Sequence, residues 1–192
     1  MLRDDLQLIY DWIPAGSRVL DLGCGEGELL AELVGRKNCS GYGVEIDTEG
    51  VLASIGRGIN VIQADLEQGL QDFGDNSFDV IVLSQTIQSM QNTETILQDL
   101  TRVAKQAIVS FPNFGYWRNR LQIALGGHMK VNERMPYQWY NTPNIHWCTL
   151  QDFDALCAKN GIRVLERAVM TGSRRIDTLP NLLGSLAFYR VG

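Results

Sequence analysis

The chain has no cysteine pair at C-x-x-C spacing, no apolar run of membrane-spanning length, and no Gly-Lys-Ser or Gly-Lys-Thr tripeptide. Each absence removes a class of function. Its four cysteines (Cys24, Cys39, Cys148, Cys157) stand far apart, and His128 and His146 lie far from any acid at ligand spacing. That argues against a zinc centre or any other metal site, and for free thiols in a reducing compartment. Roughly 20 consecutive apolar residues are needed to span a bilayer, and no stretch approaches that. The opening M-L-R-D-D-L lacks the basic-then-apolar order of a signal peptide. A cytoplasmic protein without a membrane partner is the expectation. No lysine or arginine lies between Val19 and Gly35, so a phosphate-cradling loop is excluded there. Basic residues are also in the minority, 17 against 22 acids, for a formal net charge of −5. No global basic field argues for nucleic acid.

What is present is an ordinary globular composition, 192 residues and 45% hydrophobic, enough for one domain with a buried core. The stretch Val19 to Gly27, V-L-D-L-G-C-G-E-G, organises it. Val19, Leu20 and Leu22 suit a strand, Asp21 falls at its carboxyl end, and Gly23, Gly25 and Gly27 turn the backbone into an amphipathic helix. A strand, a glycine turn and a helix form the usual small-molecule crevice of an open α/β domain. A dinucleotide fingerprint requires a small residue where Glu28 stands, and an acid there would face a pyrophosphate. Asp21, Glu26 and Glu28 instead suit a ligand whose near end carries an ammonium and a sulfonium. D-L-G-C-G-E-G resembles the first motif of class I S-adenosylmethionine-dependent methyltransferases.

Leu2, Leu6, Ile9 and Ile13 recur at helical spacing ahead of Pro14-Ala15-Gly16, giving a lead-in helix over one edge of the sheet. Arg18 to Leu22 is the first strand. Leu29, Leu30, Leu33 and Val34 form the buried stripe of the next helix, with Gly35 as its stop. Tyr42 to Ile46 is the second strand. Glu45 falls at its end, where an acid can accept from ribose hydroxyls, since a carboxylate offers two acceptor oxygens and no donor. Asp47 is second in line for that role; its first role is to cap the helix from Thr48. Asn60 to Ala64 is strand three, ended by Asp65, and Val80 to Leu83 a buried central strand followed by Ser84-Gln85-Thr86. Asn92 or Thr93 caps a helix that buries Ile96, Leu97, Leu100 and Val103. Ala107 to Phe111 is strand five. Thr149 and Asp152 form a capping box for a helix with Phe153, Leu156 and Cys157 inward. Ile162 to Val169 and Leu182 to Val191 are the last strands. Strands alternating with helices give a doubly wound, Rossmann-like α/β sheet.

Residues 111–148 are too long for a simple connection. They hold eight of the sixteen aromatics: Phe111, Phe114, Tyr116, Trp117, Tyr137, Trp139, Tyr140 and Trp147. Arg118, Arg120, Lys130 and Arg134 stand against the single acid Glu133, so this aromatic, basic insert in the single domain 1–192 is net +3. Aromatic and arginine enrichment is typical of interface centres. A satellite core closing over a ligand has equal claim. His128 and His146 are general bases by residue type only, without a partner acid.

D-L-G-C-G-E-G, G-V-E-I-D, V-L-S-Q-T-I-Q, S-F-P-N-F-G-Y-W and W-Y-N-T-P-N-I-H together resemble the methionine biosynthesis protein MetW family, over nearly the whole chain. The resemblance implies a class I methyltransferase fold, a mostly parallel seven-stranded sheet with an antiparallel last strand. It implies S-adenosylmethionine or S-adenosylhomocysteine as ligand, held by Asp21, the three glycines, Glu45 and Ile46. Asp65 would accept from the adenine amino group, the Leu66 amide would meet a ring nitrogen, and Ser84 would contribute its backbone, with Gln85 a weaker candidate. It implies association with homoserine O-acyltransferase in methionine biosynthesis. It supplies no methyl acceptor and no catalytic residue. The Asn-Pro-Pro-Tyr with which DNA and protein-glutamine methyltransferases hold a planar amide is replaced by Ser84-Gln85-Thr86-Ile87, against methylation of amides or exocyclic amines. Two functions stay open: a ligand-binding subunit of the acyltransferase, and a small-molecule methyltransferase.

Overall fold

Alternation along the strands sorts the core into two layers. In β1 (Arg18–Leu22) and β4 (Phe78–Ser84), Leu20, Leu22, Ile81 and Leu83 point to one face of the sheet, and Val19, Val80 and Val82 to the other. The first face is covered by α4 (Thr93–Val103) through Ile96, Leu97, Leu100 and Val103 and by α6 (Leu150–Lys159) through Phe153 and Cys157. The second is covered by α1 (Asp4–Trp12) and α2 (Glu28–Lys37), whose Leu6, Ile9, Leu29, Leu30 and Leu33 meet Val80, Val82, Ile108 and Phe188. A helix packs on each layer because each strand is apolar on both sides. The computed structural model describes residues 2–68, 70–129 and 137–192. Lys130, Glu133 and Arg134 of the insert's charge balance lie outside them.

The sheet has eight strands in the order β3-β2-β1-β4-β5-β8-β6-β7. β2 (Ser40–Glu45), β3 (Val61–Gln63) and β5 (Ala104–Pro112) join β1 and β4 in parallel. β8 (Leu186–Val191) inserts antiparallel between β5 and β6 (Val164–Thr171). The eighth strand is β7 (Arg174–Arg175), a two-residue return of β6 through Gly172 at φ +58°. Both edge strands are therefore very short.

Four expectations need correction. The closing strand starts at Leu186 rather than Leu182, because Pro180 opens a short helix, α7 (Pro180–Leu183), whose last turn is closed by Gly184 N–H donating to Pro180. α2 runs through Gly35 and stops at Asn38, left-handed at φ 52°, and its buried stripe is Leu29, Leu30 and Leu33, with Val34 exposed. α1 lies on a face of the sheet rather than an edge. Asn92 precedes α4 but makes no side-chain capping bond. A ten-residue helix, α5 (Trp117–Gly126), stands inside the insert, to which no secondary structure was assigned. The other two caps hold. Asp47 caps α3 (Thr48–Gly56), accepting from Gly50 N–H at 2.9 Å, and Thr149 and Asp152 close the capping box of α6.

Candidate functional site

The strand order reverses between β1 and β4, which opens a crevice at their carboxyl ends. Gly23 stands at its centre. At φ +72° it has the backbone that glycine favours, and a Cβ there would lie 2.6 Å from Thr86 Oγ1. Two cavities share Gly23 as a wall. One, about 310 Å³, is lined by Asp21, Cys24, Gly25, Glu26, Glu28 and Ser84, with Arg3 and Leu6 of α1 opposite. The other, about 330 Å³, is lined by Glu45, Ile46, Asp65, Leu66, Gln85 and Thr86 among others. Gly27 lines neither. It starts α2, and a Cβ on it would meet Ser54 Oγ at 2.8 Å, so its role is close packing of α2 against α3.

The glycine loop is held by its own backbone and by one acid. Gly23 and Cys24 N–H both donate to Val44 O, at 2.8 and 3.1 Å, and Gly27 N–H donates to Cys24 O at 3.0 Å. Glu45 Oε2 accepts from Gly25 N–H at 2.8 Å, and Oε1 from Ile46 and Asp47 N–H at 2.8 and 2.9 Å. Three of a carboxylate's roughly four acceptor positions are thus filled by main chain. Glu45 clasps the loop to β2 and has one acceptor position left, on Oε2. Asp65 Oδ1 accepts from Glu67 N–H at 2.9 Å, shaping the turn after β3. Among the described residues nothing accepts the Leu66 N–H.

Asp21 is 4% exposed on the α1–α2 side of the sheet. Burial, and then the charge of Glu45, push its carboxyl up to about 7. A cation delivered to this cavity would favour the ionised carboxylate and so act against both effects. Cys24, beside it, is pushed up to about 12 by burial and by Asp21. It is a neutral thiol and no nucleophile.

Past β4 the chain is tied down by polar contacts. Gln85 is left-handed at φ +52°, a conformation costing a non-glycine residue about 1–3 kcal/mol, of the kind that collects at functional sites. Its N–H donates to Ser110 O at 2.9 Å, its carbonyl accepts from Gln88 Nε2 at 2.6 Å, and its side-chain Nε2 donates to buried Asp5 Oδ2 at 2.8 Å. Thr86 Oγ1 donates to Ser84 O at 3.0 Å. Arg3 and Asp5 were not singled out from the sequence, and Leu6 was read only as part of the apolar stripe of α1. Helical periodicity marks which residues of α1 are apolar, but not which charged one lies over a crevice built 20 to 80 residues later.

The insert divides. Phe111 stacks with Tyr189 and packs at a tilt on Phe153 in the core, and Phe114 packs on Trp147 at 5.3 Å. Trp117, Tyr137, Trp139 and Tyr140 are exposed, the last two 72% and 70%. α5 buries only Asn119; Leu125 is 84% exposed, and the Arg118 guanidinium lies over the Trp117 ring at 5.4 Å. Arg118 lines neither cavity. His146 borders a separate cavity of about 560 Å³ with Gln88, Cys148 and Phe153, and His128 is exposed. Neither histidine reaches the crevice. Among the described residues no cluster of three His, Cys, Asp or Glu could hold a metal, and no helix is long and apolar enough to cross a membrane.

Known proteins agree with this architecture. A structure titled as an S-adenosylmethionine-dependent methyltransferase, possible histamine N-methyltransferase, from Thermotoga maritima matches with a TM-score of 0.69 at 19% identity. The match covers 98% of this chain and 86% of that one. An S-adenosylmethionine-dependent methyltransferase from Aquifex aeolicus matches at TM-score 0.65 and 20% identity, over 99% of this chain and 89% of that one. These likenesses establish the class I methyltransferase fold. In sequence, the bifunctional methionine biosynthesis protein MetXA/MetW of Rhodopirellula baltica is 38% identical over 98% of this chain and 33% of its own length. The ubiquinone/menaquinone biosynthesis C-methyltransferase UbiE of Idiomarina loihiensis is 29% identical over 47% of this chain and 39% of its own. The chain spans about a third of the length of these curated relatives. The profile of the methionine biosynthesis protein MetW matches residues 3–191. A chain of the class I methyltransferase fold, it belongs to the family of the methionine biosynthesis protein MetW.

Proposed function

We propose that the crevice binds S-adenosylmethionine or S-adenosylhomocysteine, and that the chain acts as a ligand-binding partner of homoserine O-acyltransferase. One observation carries the first part: Asp21, Glu45 and Asp65, at or just past the carboxyl ends of three adjacent parallel strands, flank two cavities that meet at Gly23. Such a ligand is long, with a cationic amino-acid end and a neutral nucleoside end. Asp21 and Glu28 suit the ammonium. Glu45 would accept from a ribose hydroxyl, Asp65 from the adenine amino group, and the Leu66 N–H would meet a ring nitrogen. The bound cofactor would supply an activated methyl group; the residues around it bind, orient and exclude water.

The partner reading is supported by the Rhodopirellula relative, whose name joins MetXA and MetW in one polypeptide. It is supported also by α5, which presents Trp117, Leu121 and Leu125 to solvent beside Arg118. A subunit that holds a downstream product of the pathway beside an early enzyme can report product level, provided the interface differs between bound and free states. No ionised thiol or histidine reaches the crevice, so methyl transfer to a small molecule is the second reading. Titration calorimetry tests the first: S-adenosylhomocysteine binds while NAD and ATP give no heat. Binding of NAD without either adenosyl ligand overturns it. Co-purification from the native host, with mass spectrometry of partner and small molecule, tests the second part.

A further inference from the structure

The acids of the crevice account for an ammonium, but an amino-acid end also brings a carboxylate, and the glycine loop has little to offer it. The N–H groups of Gly23, Cys24, Gly25 and Gly27 are all committed to Val44 O, Glu45 Oε2 and Cys24 O. The first turn of α2 carries the carboxylate of Glu28. No lysine or arginine occurs between Val19 and Gly35. Glu26 is already paired with Arg57 at 2.8 Å, and a carboxylate set beside Asp21 and Glu28 with no positive partner of its own would be repelled. Among the residues lining this cavity there is one cation, Arg3, brought over it by α1.

Arg3 is placed for exchange. It is the residue before α1, its side chain makes no capping bond there, and it is 67% exposed. Among the described residues its one ion pair, to Asp5 Oδ1, is long at 3.5 Å. Asp5 is fixed from the other side, its Oδ2 accepting from Gln85 Nε2 at 2.8 Å. Gln85 lines the neighbouring cavity and is held to Ser110 and Gln88. α1 is therefore latched to the turn after β4 through Asp5, and this seats Arg3 at the mouth of the cavity with a spare guanidinium. Resting on the cofactor reading above, we infer that Arg3 receives the ligand's carboxylate. It thereby makes the crevice select adenosyl ligands that carry an intact amino-acid end over nucleosides that lack one.

Three ligands separate the possibilities: S-adenosylhomocysteine, decarboxylated S-adenosylmethionine (ammonium but no carboxylate) and 5′-methylthioadenosine (neither). Titrations use wild type, Arg3→Ala, Arg3→Glu and Arg3→Lys. Loss of a charge-assisted hydrogen bond predicts that Arg3→Ala weakens S-adenosylhomocysteine about tenfold or more, Arg3→Glu further, with partial recovery in Arg3→Lys. Affinity for the other two should stay within about twofold in Arg3→Ala, and Arg3→Glu should strengthen the decarboxylated ligand. Equal weakening of all three in Arg3→Ala would mean that Arg3 only holds α1 in place, and the inference fails. Unchanged S-adenosylhomocysteine affinity in Arg3→Glu also overturns it, while leaving the cofactor reading intact. Wild type that binds none of the three overturns the cofactor reading itself.

Discussion

Replacing Asp21 with asparagine should make the ligand-free protein more stable and less able to bind. The folded chain raises this carboxyl from 3.8 to about 7, first by burial and then through Glu45. Each unit is about 1.4 kcal/mol, so ionised Asp21 costs the folded state about 4 kcal/mol. The sign follows from which state holds the proton. Below about pH 4 the carboxyl is protonated folded and unfolded, and there is no cost. Between about 4 and 7 the unfolded chain ionises first, so stability falls as pH rises, and above 7 the full cost is present. Asparagine is neutral throughout. Urea unfolding of both proteins without ligand, from pH 5 to 8, should show a gap that widens in favour of Asp21→Asn toward pH 8. The gain there should be about 2–4 kcal/mol, the lower figure allowing for imperfect pairing of the new amide. Wild-type affinity for S-adenosylhomocysteine should fall as pH drops through 7, approaching tenfold per unit, while Asp21→Asn binds weakly at every pH. A stability difference that does not change with pH, or a variant less stable than wild type at pH 8, would refute the reasoning.

Glu45→Ala should weaken adenosyl-ligand binding by about 1.5–3 kcal/mol and also lower the melting temperature, because it releases the Gly25, Ile46 and Asp47 amides. Asp47→Ala should cost about 1 kcal/mol of stability through the lost α3 cap and leave calorimetric affinity nearly unchanged; if the two phenotypes swap, the ribose assignment is wrong. Arg118→Glu and Trp139→Ala should reduce capture of homoserine O-acyltransferase by at least about 2 kcal/mol, roughly thirtyfold, if these are true anchors. The same variants should keep cofactor affinity; losing the ligand while keeping the partner would instead make the insert a pocket wall.

The crevice was legible because its parts are local. A strand, an acid and a glycine turn fit in nine residues, and Glu45 and Asp65 each end a strand whose apolar run can be read directly. The Asp47 cap and the Thr149–Asp152 box were readable for the same reason, since donor and acceptor lie three residues apart. What escaped were relations set only by the assembled sheet. Nothing within α1 indicates that Asp5 will meet Gln85 eighty residues later, or that Arg3 will line one cavity with Asp21. α5 escaped for a different reason. Trp117, Leu121 and Leu125 share one stripe, but that stripe faces solvent and Ile123 lies across the axis from it, so no core-facing amphipathic pattern marks the helix. Glu45 shows a third kind of shortfall: its residue type pointed to a ligand, while most of its hydrogen bonds serve the loop.

The brevity of the two outer strands bears on how a second protein could attach. A three-residue β3 and a two-residue β7 give an incoming strand almost no ladder to extend. The same shortness protects the molecule from stacking edge to edge with its own copies. Recognition by strand addition, which draws its strength from main-chain hydrogen bonds and is tolerant of sequence, is thus closed at both flanks. A partner must be read through side chains, and its specificity must then reside in shape and charge, where single substitutions can abolish it.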